Sequence, residues 1–298
     1  MTRVSIEVEA PRVSSEQDRS NSSMWLLLLL LAGSGCAALI YEIVWLQLLQ
    51  LVIGSSAVSL GLLLAAYMGG LCLGSAALPR LVSSRIHPFR VYACLEVGIA
   101  VFGILILFGV PYFTRIWHGT IAAAFLLLPT VLMGAAFPAV ARWVKTTPNG
   151  LSWLGSLYTA NIVGAIAGCL FAGFYLLRVY DMAVATYTAA AINIVIALAA
   201  FGLSALVQSP ISAEPASSAR RSPGALLIYV AITLSGLTAL GAEVVWTRLL
   251  SLLMGATVYT FSIILAVFLA GLSAGSAFGS FLLRRLRQPR LALAGAQV

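Results

Sequence analysis

Three glutamates fall inside long apolar stretches of the sequence: Glu42, Glu96 and Glu243. An ionisable side chain in such surroundings is costly to keep, and it normally faces a partner or a water-filled path. A carboxylate there can hold a cation or exchange a proton. Glu42 and Glu243 sit in matching local text, YEIVW and AEVVW, each with a tryptophan three residues on, Trp45 or Trp246. That spacing sets acid and indole on one side of a helix. An interfacial belt is built the same way. At 1.5 Å per residue both acids lie about 27 Å into their stretches, near the outer interface. Two readings stand: a symmetric pair of acids for a cation or proton, and an interfacial anchor.

The remaining polar candidates are fewer. Arg248 follows Glu243 by five residues and so points elsewhere on the helix, while the first copy has Gln47 at that place. Glu96 lies about two turns from the inner end of its stretch, where a substrate role competes with snorkelling or pairing to Arg85 or Arg90. Asn161 and Tyr158 precede a stripe of small residues, Ala160, Gly164, Gly168 and Ala172. Such a stripe is first a close-packing face and second a site lining. Gly70 with Gly74, and Gly271 with Gly275, form similar faces, and Gly134 lies between Pro129 and Pro138, which predict kinks or a break. His87 and His118 sit between apolar stretches. There is no metal-ligand spacing, phosphate loop or nucleophile-base-acid set, so no catalytic residue, metal or cofactor is expected in this chain.

The elements that position these residues follow from composition. Of 298 residues, 61% are hydrophobic and 9% charged, and the mean hydropathy is +1.03, far too apolar for one soluble core. Apolar stretches cover 24–48, 57–79, 90–110, 119–141, 153–177, 182–207, 224–248 and 258–283. Each can cross a hydrocarbon core, and in lipid each must be a helix, because its backbone has no other partner. A ninth begins near Pro289. The four cysteines lie within apolar stretches as packing residues. The basic residues are scattered, 16 of 17 being arginine, which argues against nucleic acid and for control of topology. With the N-terminus inside, 14 basic residues fall on the inner side and only Arg115, Arg178 and Arg248 outside. The expected location is the inner (plasma) membrane, multi-pass, with a cytoplasmic N-terminus.

The strongest pattern is a repeat. SGCAALIYEIVWLQLLQLVIG from Ser34 aligns without a gap to SGLTALGAEVVWTRLLSLLMG from Ser235, an offset of 201 residues. Over positions 34–81 there are 19 identities in 48. The offset spans six predicted helices, an even number, so both copies enter the membrane in the same direction. The expected fold is an all-α polytopic bundle with a major-facilitator-like parallel repeat, about eight complete transmembrane helices and the start of a ninth. Its parts are a disordered cytoplasmic tail (1–23), a first six-helix repeat (24–207), a Pro- and Ser-rich cytoplasmic linker (208–223) and a truncated second repeat (224–298).

Several phrases together carry a resemblance: SGCAALIYEIVW and its second copy, GLCLGS, HPFRVYACLEVGI, LLLPTVLMGAAFPAVAR and LYTANIVGAIAGCLFAGF. They resemble the membrane domain of bacterial fused proteins in which a major-facilitator-like region precedes a spermidine synthase-like domain. The resemblance covers nearly all of 24–298. It implies a membrane module of a polyamine (spermidine) synthase-like protein, anchoring it and moving a small cationic substrate or product. Its implied partners are the lipid bilayer and a C-terminal or separate aminopropyltransferase-like domain; the small-residue faces that eight spans leave uncovered suggest a homo-oligomer as well. The cofactor loop and catalytic aspartate of aminopropyltransferases have no match here. The alternatives are a stand-alone secondary transporter of small cations and a non-transporting membrane scaffold.

Overall fold

The computed structural model describes residues 11–54, 56–83, 86–114, 120–145, 150–207, 225–255, 257–283 and 295. The described residues are helical apart from short turns, and eight helices among them are long and apolar enough to cross a membrane. They are α1 (Pro11–Ile53), α2 (Ser56–Leu81), α3 (Pro88–Thr114), α4 (Thr120–Val144), α5 (Gly150–Phe171), α6 (Met182–Leu206), α7 (Ala225–Met254) and α8 (Val258–Leu283). A π turn, Ala172–Leu176, and a last turn, Leu177–Val179, extend α5. The linker, the stretch after Pro289 apart from Gly295, and His118 lie outside the described residues.

The helix α1 starts at Pro11, upstream of the apolar stretch that begins at residue 24. Proline suits a first helical position, and extending an existing helix is far easier than nucleating a new one. At the other end Gly54 adopts φ 75°, and its repeat counterpart Gly255 adopts φ 87°. Both copies therefore stop their first helix with a left-handed glycine, a conformation that costs glycine little.

Two glycine seams bring backbones together. Between α1 and α5, Gly35 lies on the Asn161 backbone, Gly164 on Ala32 and Gly168 on Cys36. Between α2 and α4, Gly70 lies on Thr130, Gly74 on Val131 and Gly134 on Leu71. Small residues every fourth position let lipid-embedded helices approach this closely. The expected break at Pro129 or Pro138 does not occur, and α4 runs through both. Beside Pro129, the Thr130 hydroxyl reaches the carbonyls of Leu126 (2.9 Å) and of Ala66 on α2 (3.2 Å). That tie holds the helix to its neighbour where a ladder bond is lost.

Around these seams α3 packs on α4 and α6, and α1 also packs on α6. Arg142 ties the ends of α4 and α2, donating to the carbonyls of Leu78 (3.1 Å) and Val82 (3.2 Å). In α1, 61% of the most apolar window is buried inside the protein, against 6% in α7. The helix α8 docks on α5. Among the described residues nothing lies within 4 Å of a Cβ built on Gly271 or Gly275, unlike Gly70 and Gly74.

Candidate functional site

Glu42 and Glu243 are both buried, 2% and 3% exposed, and they line one cavity of about 410 Å³. α1 and α7 each continue eleven residues beyond their glutamate, to Ile53 and Met254. That is about 16 Å of further helix, which places the acids well inside the bundle. Each carboxyl keeps one oxygen without a hydrogen-bond partner, Oε1 of Glu42 and Oε2 of Glu243.

Six helices build the walls. From α1 come Ser34, Gly35 and Glu42; from α2, Tyr67, Met68, Leu71 and Ser75; from α4, Gly134, Phe137 and Pro138; from α5, Tyr158 and Asn161; from α7, Glu243; and from α8, Phe268, Leu269 and Leu272. Four pairs of these keep the repeat offset of 201: Glu42 with Glu243, Tyr67 with Phe268, Met68 with Leu269, and Leu71 with Leu272. Toward the far end of α1 a smaller pocket is lined by six more such pairs, including Gln47 with Arg248 and Gln50 with Ser251. Residues at equivalent repeat positions therefore line both spaces together.

Chemically the cavity joins two carboxyls to apolar and aromatic walls. The ring of Tyr158 stands edge-on to Phe137, with centroids 6.0 Å apart. Carboxylates buried in apolar surroundings need a counter-charge or protons. Aromatic faces add attraction for an ammonium group. The arrangement suits a small organic cation whose alkyl part lies on Phe and Leu.

The other sequence candidates divide. Asn161, Tyr158, Gly134 and Pro138 belong to the cavity wall. Arg248 belongs to the outer pocket. Glu96 is fully buried and accepts a hydrogen bond from Ser34 Oγ at 2.6 Å, while Arg85 lies outside the described residues. Trp45 and Trp246 part company. Trp45 is 1% exposed and stacks on Tyr41, centroids 5.4 Å apart, whereas Trp246 is 60% exposed. Three residues turn a helix by about 300°, so acid and indole are only approximately aligned, and neighbours decide what each side meets. Trp45→Ala is therefore expected to cost about 3–5 kcal/mol, the usual loss for a core tryptophan. Trp246→Ala should stay within about 0.5 kcal/mol. Thermal unfolding of the purified variants in detergent checks both, and equal losses would contradict the assignment.

Sequence reasoning missed Ser34, Tyr67, Phe137 and Phe268. Ser34 carried a signal, since a hydroxyl in the Gly-Ser-Gly stretch is also a donor. The aromatics carried none, as nothing in an apolar run marks the side facing a cavity. No family model matches the chain, and neither does any curated protein or solved structure.

Proposed function

We propose that this chain is the membrane module of a polyamine synthase-like protein, with a major-facilitator-like parallel repeat, and that it carries a small organic cation through the cavity between Glu42 and Glu243. The observation that carries this reading is the burial of both acids, one from each copy of the repeat, in a single aromatic-walled cavity. A carrier needs its binding site near mid-membrane at the interface of its repeats, and the paired linings at the 201-residue offset support that layout. Two carboxylates suit a diamine, whose methylene chain lies against the apolar wall. The polyamine assignment rests on the sequence resemblance.

The test is uptake of radiolabelled putrescine into liposomes reconstituted with the purified chain. Saturable uptake that unlabelled spermidine suppresses is the expected result. Uptake no greater than in protein-free liposomes would overturn the carrier reading.

A further inference from the structure

Behind the cavity lies a second carboxyl site that cation binding by itself does not need. Glu96 projects from α3 into the first six helices and is fully buried. Its Oε1 accepts from Ser34 Oγ at 2.6 Å, and its Oε2 has no partner. Ser34 also lines the cavity that holds Glu42 and Glu243. One hydroxyl therefore stands between the cavity and a carboxyl whose second oxygen is unsatisfied. Two helices packed against α3 each carry a buried polar atom without a partner, Tyr41 Oη on α1 and Asn193 Nδ2 on α6. Unsatisfied polar atoms at membrane depth are expensive, and they mark places visited by water or protons.

We infer that Glu96 is a proton-coupling site: it binds a proton when the cavity is empty and releases it through the Ser34 hydroxyl when a cation occupies Glu42 and Glu243. This rests on the cation reading above. The balance is simple: the two ammonium groups of the diamine enter opposite the Glu42 and Glu243 carboxylates, one proton passes from the Glu96 carboxyl by the Ser34 hydroxyl to the surrounding solution, and no covalent bond between heavy atoms changes. A serine hydroxyl suits the relay, because it can accept from the protonated acid while donating toward the cavity.

The groups around Glu96 leave the proton as its natural counter-charge. From α1, Tyr41 is within electrostatic range. On α3, the Tyr92 hydroxyl lies within hydrogen-bonding reach of the Glu96 carboxyl and also reaches the Leu30 carbonyl at 3.4 Å. The titratable residues described on α4 and α6 are directed elsewhere. Arg142 bonds the end of α2, and Tyr187 is exposed.

The experiment adds putrescine to the purified full chain in weakly buffered detergent with a pH-sensitive dye, and measures binding in parallel by calorimetry. Wild-type protein is expected to release protons on binding. Glu96→Gln should bind putrescine without that release, and Glu96→Asp should restore it. The infrared difference spectrum should show loss of a carboxylic-acid carbonyl band in wild type and no such loss in Glu96→Gln. Binding with equal release from wild type and Glu96→Gln overturns proton coupling and leaves the cation site standing. No putrescine binding to wild type overturns both. Should Glu96→Gln fail to fold, Ser34→Ala keeps the carboxyl and removes the relay. Its release, followed by stopped flow, is expected to be slower, and an unchanged rate overturns the proposal.

Discussion

Liposomes carrying Glu42→Gln together with Glu243→Gln are expected to take up no putrescine above the protein-free background, with each single variant retaining a fraction of wild-type uptake. Glutamine keeps the size of the side chain and its capacity to hydrogen bond, so only the charge is lost. A hydrogen bond involving a charged group contributes about 1.5–3 kcal/mol, and each 1.4 kcal/mol is about tenfold in affinity. Each single substitution should therefore weaken cation binding by about tenfold to a hundredfold, and the pair by more. The double variant should nevertheless fold. Both acids are buried with an oxygen unpartnered, and removing buried charge that lacks a partner relieves a desolvation cost. Lost uptake with unchanged or raised thermal stability therefore separates a binding role from a structural one. Wild-type uptake by the double variant would remove both acids from the mechanism.

How much of this could be read from the chain alone depends on the kind of question. The eight apolar helices were legible, because composition and length leave lipid-exposed backbone no other conformation. The pairing of Glu42 with Glu243 was legible too, through the repeat. The full length of their helices was not, since the apolar count stopped near position 48 while α1 runs to Ile53. Rotation about the helix axis was the larger loss. In a soluble helix the polar stripe tells which side faces out. In α1 nearly every side is apolar, so the text could not show that Trp45 packs inward, nor that Ser34 reaches Glu96 on α3. For Glu96 the sequence left snorkelling or loop pairing open beside a substrate role, and its bond to Ser34, 62 residues away, could not be read from sequence distance. Likewise Gly70 with Gly74 and Gly271 with Gly275 are identical as sequence patterns, yet among the described residues only the first pair meets a neighbouring backbone.

That last contrast yields a sharp expectation about stability. Gly164→Val should prevent recovery of folded protein or lower its unfolding temperature severely, whereas Gly271→Ala should leave both near wild type. A Cβ at position 164 would run into the Ala32 backbone, while one at position 271 meets nothing within 4 Å. Overpacking against a side chain costs about 1–3 kcal/mol, because rotamers can yield. Here the obstacle is main chain, and α1 cannot withdraw from α5 alone, because the same seam holds Gly35 against Asn161 and Gly168 against Cys36. Separating the two helices would also move Ser34 and Glu42 away from Tyr158 and Asn161, since all four line one cavity. A Gly164→Val variant that does fold is therefore expected to lose cation binding along with stability. At position 271, alanine replaces glycine in the interior of α8, where it is the better helix former by about 1 kcal/mol. Fluorescence-detected size exclusion after a heat step reads both variants directly. Equal losses would mean that the second-copy glycine face packs against a surface after all, and equal tolerance would mean that the α1–α5 seam is looser than its backbone contacts imply.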